Sequence, residues 1–455
     1  MHKPTEGARE SPASKQMAVT VPKNEQQYRA LCAEAEVNLP WSDTTEILNT
    51  PQAVGAKIAP NRIAYQPLEG CDGTLDGRPD ELTIRRYDRF AKGGAGIVWA
   101  EAMAVLNEGR ANPRQLYINE QTADDFARLV ERIKTTCLKE NGYEPLVIAQ
   151  LTHSGRYSKP EGVPAPLITY HCATLEANNP IDDSRIVTDD YLETVQEKLI
   201  AGAQLAEKCG FDGADIKCCH RYLLCELLSA YTREGKFGGS FENRTRLFRT
   251  AVAESIRLCG KNFLITSRMN LYDGYPRPDG FGVRDDGTTD PDMTEAIALC
   301  GALRDSGVKL LDFTMGNPYF NPHVNRPYTR GGYEAPEHPM VGCERMLRGT
   351  AEVAKTIPEV AVISSALTFM GAAAPNVAAG CINDGWFAFA GFGRQTLAYP
   401  DLANDICKNG AMCDKKLCLA CSKCTEIMRK PGGTPGCVVR DAEVYAPIYK
   451  ELVQK

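Results

Sequence analysis

Four cysteines near the end of the chain form the pattern with the clearest chemical meaning. Cys418, Cys421 and Cys424 are separated by two residues each, and Cys437 follows after twelve more. Three thiolates on two-residue spacers converge in a tight loop, and a distant fourth completes the ligand set of an iron-sulfur cubane. Structural zinc is the alternative, although its four-cysteine sites more often combine two separated Cys-x-x-Cys pairs. The spacing therefore favours one [4Fe-4S] cluster over zinc.

Eight short apolar segments alternate with amphipathic stretches along the chain. The candidate strands are residues 62–66, 97–102, 146–151, 214–217, 263–268, 310–315, 361–365 and 387–391. The stretches between them carry apolar residues at helical spacing, such as Phe126, Leu129, Val130 and Ile133. Eight such units predict an α/β fold, a closed (β/α)8 TIM barrel. An open doubly wound sheet is the alternative, but no Gly-x-Gly-x-x-Gly turn follows an early strand.

In a barrel of this kind, the reactive residues follow the carboxyl ends of the strands. The residues at those positions share one predicted rim: Pro67, Glu69, Glu101, Ala102, Gln150, His153, Lys217, His220, Tyr222, Arg268, Asn317, His323, Ser365, Ala366, Leu367, Gly393 and Arg394. The sequence therefore predicts a polar active site at that rim.

The overall composition narrows the kinds of partner. The net charge of −6 gives no general attraction to nucleic acid or anionic membranes, and no apolar run approaches the roughly 20 residues of a membrane span. The N-terminus lacks the apolar core of a signal peptide. Eighteen cysteines in a large chain without an export signal favour thiols and metal ligation in a reducing compartment. We therefore predict a cytoplasmic protein with a small-molecule substrate.

Three regions are predicted along the chain. Residues 1–44 form an N-terminal extension, flexible at its start, where Met17 is a candidate natural start. Residues 45–400 form the barrel, and residues 401–455 form the short iron-sulfur segment. We also expect the chain to form a homo-oligomer.

The segments 215–230 and 237–244 resemble the old yellow enzyme family. Further matches follow in order along the chain: Asn61-Arg62, Gln66-Pro67, residues 93–96, residues 150–156, Arg268 and residues 392–394. Within the family, the chain is most similar to the branch of 2,4-dienoyl-CoA reductase and trimethylamine dehydrogenase, whose members carry a cluster after the barrel. Relatives often leave three residues before the third cysteine, where this chain leaves two. The resemblance spans roughly residues 45–440, favours [4Fe-4S] over zinc and implies bound FMN.

The resemblance also implies roles for the residues around a flavin. It assigns the FMN phosphate to Ser365, Ala366, Leu367, Gly393 and Arg394, and it places Pro67, Leu68, Glu69 and Ala102 beside the ring. Gln150 is expected along the O2 and N3 edge, and Arg268 is expected to stabilise negative charge at N1 and O2. Relatives often have Thr or Cys where this chain has Glu69, and a carboxylate there would oppose reduction to the anionic flavin.

Three residues after the fourth strand are expected to act on the substrate. Lys217 and His220 hold a carbonyl oxygen, and Tyr222 gives a proton to the α-carbon of an activated alkene. Lys217 departs from the His or Tyr common in relatives, and His323 is expected in a substrate lid. Ene reduction is the preferred function; amine dehydrogenation and a non-catalytic electron-transfer subunit are the alternatives. Electrons come either from NAD(P)H or from a redox protein that docks near the cluster.

Overall fold

The computed structural model describes residues 19–454, so the predicted flexible start of the chain, with Met17, lies outside the described residues. The strands are β1 (Gln52–Val54), β2 (Lys57–Ala59), β3 (Ile63–Tyr65), β4 (Ile97–Ala104), β5 (Leu146–Thr152), β6 (Gly213–Ile216), β7 (Leu264–Asn270), β8 (Leu310–Thr314), β9 (Ala361–Ser364) and β10 (Phe389–Phe392). Strands β3 to β10 pair in parallel in chain order, and β10 pairs with β3, which closes the barrel. The predicted TIM barrel is confirmed.

Helices cover the outside of the barrel. They are α1 (Glu25–Glu34), α2 (Glu81–Lys92), α3 (Ala123–Asn141), α4 (Ala173–Glu176), α5 (Asp189–Lys208), α6 (Leu223–Leu227), α7 (Phe241–Leu258), α8 (Thr294–Asp305), α9 (Pro322–Asn325), α10 (Pro339–Ala354), α11 (Ala374–Asn383), α12 (Arg394–Ala398), α13 (Leu402–Asn409), α14 (Lys423–Met428) and α15 (Ala442–Leu452). In α5, the Thr188 side chain caps the first turn, and Leu192, Val195 and Leu199 form its buried face. Helix α5 therefore buries one apolar stripe.

A short antiparallel hairpin, β1 with β2, was not predicted. Its strands have three residues each, too few to show an apolar repeat, and Gly55 turns between them with a φ of +57°. Val54 and Ala59 belong to the same buried cluster as Ile97 inside the barrel. The hairpin therefore covers the end of the barrel core.

The segments on either side of the barrel pack against it. Near the start, Tyr28 is buried and stacks on Trp41 with ring centroids 5.5 Å apart, while the Ala372 amide donates to the Pro22 carbonyl. The proposed boundaries at residues 44 and 400 stay predictions. No described helix, within residues 19–454, is long and apolar enough to cross a membrane.

The C-terminal segment is held to α2 by charge. Arg85 donates to both carboxylate oxygens of Asp441, at 2.8 and 2.9 Å, and Arg89 contacts the same carboxylate. The Thr434 hydroxyl donates to the buried Asp72 at 2.7 Å. These contacts fix the segment that carries the four cysteines, because charge-assisted and bidentate bonds restrict orientation.

Candidate active site

A cavity opens at the carboxyl end of the barrel and contains about 1090 Å³ of space not filled by protein atoms, part of it open to solvent. Strand ends from both halves of the barrel meet there, as the rim rule predicts. The predicted residues that line it are Pro67, Leu68, Glu69, Gln150, Lys217, His220, Arg268, Ser365, Ala366, Gly393 and Arg394. The structure thus brings together most of the predicted site.

Seven residues of the predicted rim are not part of the cavity wall; three of them are Glu101, His153 and Asn317, and the other four have predicted roles at the site. Ala102 is buried in β4 next to a shift in strand register, and its carbonyl accepts from Gln115. Leu367 packs in the apolar core, and His323 bonds through Nδ1 to the Tyr333 hydroxyl at 2.5 Å. Tyr222 lies behind the wall and contacts it through Tyr319. The roles suggested for these residues stay predictions.

A buried polar network supports one side of the cavity. Gln66 Nε2 donates to Asp312 Oδ1 and to Ser365 Oγ, both at 2.7 Å. Arg268 Nη1 donates to the Pro67 carbonyl at 2.9 Å, and its Nε lies 3.3 Å from Asp312 Oδ2. Burial outweighs the attraction of Arg268 and raises the pKa of Asp312 to about 6. The guanidinium is therefore fixed at the cavity by a carbonyl and a carboxylate.

Gln150 is oriented by a second buried carboxylate. Its Nε2 donates to Asp215 Oδ2 at 2.6 Å, while Asp215 also accepts from Trp99 Nε1 at 3.0 Å and from the Arg268 amide at 2.8 Å. Burial raises the pKa of Asp215 to about 7 despite these bonds. Because the amide nitrogen is engaged, the Gln150 carbonyl oxygen is the group available to accept a bond from a ligand.

Three tyrosines form a packed cluster beside the cavity. The rings of Tyr157 and Tyr319 stack with centroids 3.9 Å apart, and the hydroxyls of Tyr222 and Tyr319 are 3.0 Å apart. The Tyr319 hydroxyl donates to Glu69 Oε2 at 2.8 Å. Burial, helped by the negative charge of Glu69, raises the pKa of Tyr222 far above its usual value. Tyr222 is therefore a neutral hydroxyl at physiological pH.

Lys217 and His220 occupy the wall between the tyrosines and Arg268. Lys217 Nζ lies 3.8 Å from the centroid of the Tyr222 ring, and burial lowers the pKa of Lys217. His220 has a left-handed backbone, with φ of +64°, and burial lowers its pKa well below the usual value. Its Nε2 is buried without a hydrogen-bond partner among residues 19–454. A neutral imidazole with a free nitrogen thus faces the cavity beside an ammonium.

Another part of the cavity wall is cationic. Arg394 donates through Nη2 to the Pro327 carbonyl at 2.8 Å, whereas its Nη1 is buried without a partner in the described chain. Arg326 also lines the cavity, and burial together with Arg394 lowers its pKa to about 9. Gly393 lines the cavity beside Arg394. This part of the wall has the charge and the free donor that an anion needs.

The four predicted metal-binding cysteines line one smaller cavity. Cys418, Cys421, Cys424 and Cys437 surround about 370 Å³ of unfilled space, and Cys424 also lines the larger cavity. Backbone amides of Ala420 and Arg440 donate to the sulfurs of Cys418 and Cys437, at 3.4 and 3.3 Å. Among residues 19–454, however, no group of three or more His, Cys, Asp or Glu side chains is arranged to hold a metal ion.

Sequence reasoning missed several residues at the site. Asp312 shows as a single charge inside the apolar strand β8, a signal that could have identified it. Tyr157 and Arg326 carry no distinctive pattern. In the sequence Tyr319 is, with Phe320, a candidate only for an aromatic cage around an amine, and only the fold brings Tyr157 and Tyr319 together.

Comparisons with known proteins identify the family of the chain. The model of the "NADH:flavin oxidoreductase / NADH oxidase family" matches residues 48–411. The chain belongs to this family. NADPH dehydrogenase of Bacillus licheniformis is 32% identical over 211 residues, which cover 45% of this chain and 58% of that protein. The predicted family is confirmed, and the chain covers less than two thirds of this relative.

Solved structures show the same fold at low identity. A 2-naphthoyl-CoA reductase in complex with 2-naphthoyl-CoA has a TM-score of 0.68 and 19% identity, covering 87% of this chain and 57% of that chain. The old yellow enzyme homologue from Zymomonas mobilis has a TM-score of 0.58 and 22% identity, covering 79% of this chain and 92% of that chain. At these identities the likeness establishes the barrel fold alone.

Proposed function

We propose that this protein is an FMN- and [4Fe-4S]-dependent ene-reductase, which reduces the C=C bond of an enone or an enoyl thioester. The observation that carries the proposal is one cavity whose wall contains the cation Arg394 and the hydroxyl of Tyr319, with the Tyr222 hydroxyl hydrogen-bonded to Tyr319 directly behind that wall. FMN, when bound, supplies a hydride to the alkene. Every other requirement of the reaction is assigned to side chains of the chain itself.

The residues present fit FMN. The free Nη1 of Arg394 and the backbone of Gly393, which both line the cavity, suit a phosphate. The Gln150 carbonyl oxygen suits a ring N–H group. Arg268 suits an edge that gains negative charge on reduction, because its position is already fixed by Pro67 and Asp312.

Three residues would bind and protonate the substrate. The Lys217 ammonium donates to the substrate carbonyl, and so does His220 in the neutral tautomer that carries its proton on the free Nε2. Both stabilise the negative charge that develops on the carbonyl oxygen. Tyr222 supplies the proton for the α-carbon, and its buried hydroxyl remains protonated until that step.

An amine substrate fits the cavity less well. The cavity is lined by one carboxylate, Glu69, which accepts from Tyr319. The cations that line it number five: Lys217, Arg268, Arg326, Arg394 and Arg429. Moreover, the tyrosine rings pack on one another, and Lys217 and Arg429 lie over the rings of Tyr222 and Tyr319. A cationic amine would meet like charge where an open aromatic cage is needed. A pure electron relay would need no proton donor.

At the cysteine cavity we favour a cluster over zinc because of the cysteine spacing. Three cysteines on two-residue spacers and a distant fourth line one cavity, and this pattern is more typical of a cubane than of zinc held by two separated Cys-x-x-Cys pairs. Two backbone amides already donate to sulfur, as ligand thiolates require. We further propose that a redox protein or NAD(P)H supplies the electrons. A homo-oligomer and a cytoplasmic location stay predictions.

Anaerobic purification and a substrate screen test the proposal. We expect about one FMN and about four irons with matching sulfide per chain. We expect the reduced flavin to be reoxidised by enones or enoyl-CoAs, and the oxidised flavin to remain unreduced by small amines. Zinc in place of iron would overturn the cluster, and flavin reduction by amines alone would overturn the ene-reductase assignment.

A further inference from the structure

We propose that Glu69 and Tyr319 form a proton relay that recharges Tyr222 after each turnover, with Glu69 as the group that exchanges protons with solvent. This inference rests on the proposed ene reduction and adds two residues to it. It also assigns a role to the Glu69 carboxylate, which lines the proposed flavin site.

Hydrogen-bond distances connect the three groups. The Tyr222 and Tyr319 hydroxyl oxygens are 3.0 Å apart, and the Tyr319 hydroxyl is 2.8 Å from Glu69 Oε2. The stacked ring of Tyr157 and the bond from Asn317 to the Tyr157 hydroxyl hold Tyr319 in place. A proton can therefore pass along the chain without a large side-chain movement, since both steps are within hydrogen-bond reach.

Solvent exposure is lowest at Tyr222 and higher at Tyr319 and Glu69, as a path that brings protons from solvent to Tyr222 requires. Tyr222 is 1% exposed, whereas Tyr319 and Glu69 are partly exposed and line the cavity. A tyrosinate left at Tyr222 would be a buried anion, which is costly, although the Lys217 ammonium over its ring attracts it. Tyr222 has no direct access to bulk water, so a partly exposed neighbour must deliver its next proton.

The proton balance of one turnover closes. Hydride adds to the β-carbon and the Tyr222 proton to the α-carbon, so one C=C π bond becomes two C–H bonds and Tyr222 becomes a tyrosinate. Tyr319 gives its proton to Tyr222 and takes one from Glu69, which has been protonated by solvent. Glu69 returns to the carboxylate, and the net proton comes from water.

The test separates the first turnover from later ones. Enzyme reduced beforehand with dithionite is mixed with excess cyclic enone and excess reductant in a stopped-flow instrument. We expect the later turnovers of Glu69→Gln and of Tyr319→Phe to be slower than the same variant's own first turnover by about tenfold or more, since a positioned acid contributes at least that much. Tyr222→Phe should lose the first turnover itself.

A matched control uses another glutamate that accepts from a tyrosine hydroxyl. Glu108 accepts from Tyr191 at 3.1 Å and does not line the cavity. Glu108→Gln should keep wild-type rates in all turnovers. In Glu69→Ala, added formate should restore the later turnovers, because a small acid can occupy the space of the missing carboxyl.

A second readout needs no catalysis. In protein labelled with 3-fluorotyrosine, the Tyr222 ¹⁹F signal, assigned by its loss in Tyr222→Phe, should shift in Glu69→Gln but not in Glu108→Gln. The relay would be overturned if the Tyr222 signal were the same in Glu69→Gln as in the wild type. It would also be overturned if the variants slowed the first and later turnovers equally, or slowed neither. If the wild type reduces no alkene, the proposed function fails, and the ¹⁹F shift alone decides whether the hydrogen-bonded chain exists.

Discussion

Lys217 gives the sharpest test of the substrate end of the cavity. Its side chain is nearly buried, and its ammonium lies 3.8 Å from the Tyr222 ring centroid. Replacement by Met keeps the length and apolar character of the chain but removes the charge. The ammonium already lies over the Tyr222 ring in the free enzyme, so its contribution to the reaction is the charge-assisted bond to the substrate carbonyl oxygen, which contributes about 2 kcal/mol. Because that bond strengthens as negative charge develops on the oxygen, kcat/KM should fall by about 30-fold when the charge is removed.

The pH profile carries the more specific prediction. Burial lowers the pKa of Lys217, so its ammonium is lost at a lower pH than that of an exposed lysine. Wild-type kcat/KM should therefore decline on the alkaline side as Lys217 deprotonates. Tyr222 cannot cause this decline, because its pKa is raised far above the usual value.

Two variants separate charge from geometry. Lys217→Met should lack the alkaline decline and remain at its low level, while Lys217→Arg stays charged and should also lack the decline. Lys57→Met is the control, since Lys57 pairs with Asp212 at 2.7 Å outside the cavity. Enone-dependent kcat/KM is measured from neutral to alkaline pH in variants with matched flavin content. An unchanged alkaline decline in Lys217→Met would refute the role of this ammonium.

The other predictions address the cofactor sites and the buried carboxyls. Arg394→Gln should weaken FMN binding by about 10- to 100-fold, since a bond to a charged group contributes about 1.5–3 kcal/mol; an unchanged affinity in a flavin fluorescence titration would exclude Arg394 from the phosphate site. Asp215→Asn should flatten the pH dependence of urea unfolding. The pKa of Asp215 is raised to about 7 in the folded protein and is about 4 in the unfolded chain. The contribution of Asp215 to the free energy of unfolding is therefore fully present below about pH 4 and is lost as the pH rises through about 7. Cys421→Ala should lower the iron content and should impair turnover with the natural redox partner more than turnover with chemically reduced flavin; full iron content would remove Cys421 from the ligand set.

The barrel was predictable because its strands are buried on both faces. Strand β4 is buried at every position from Ile97 to Ala104, so its apolar run is visible in the sequence, and Glu101 alone interrupts it as a charged residue. The predicted strand ended two residues early. The pairing of β4 with β5 resumes at Ala102 after a shift in register and continues through Ala104. The predicted fourth strand ended at Lys217, one residue later than β6, which ends at Ile216 and leaves Lys217 just after the strand, where the rim was predicted.

The site was predictable only where residues follow strand ends. Gln150 and Arg268 occupy strands, and the orientation of their side chains depends on Asp215 and Asp312 respectively, each distant in sequence from its partner. Tyr319 comes from a long loop, and its meeting with Glu69 depends on the closure of the barrel. His323 follows the same strand as Tyr319, yet it turns to Tyr333 on the outer side of the loop. Position after a strand thus identifies candidates but not the direction of a side chain.

The two cavities share part of their walls, and this adjacency constrains the chemistry. Cys424, Arg394 and Leu397 line both the larger cavity and the cysteine cavity. A redox centre held by the cysteines would therefore adjoin the proposed phosphate end, while the tyrosines and Glu69 stand with Lys217 at the substrate end. Electrons that arrive through such a centre bring no proton, unlike a hydride from NAD(P)H. An enzyme supplied in this way must draw every proton through its own side chains, and Glu69 with Tyr319 is the hydrogen-bonded path that the structure offers for that supply.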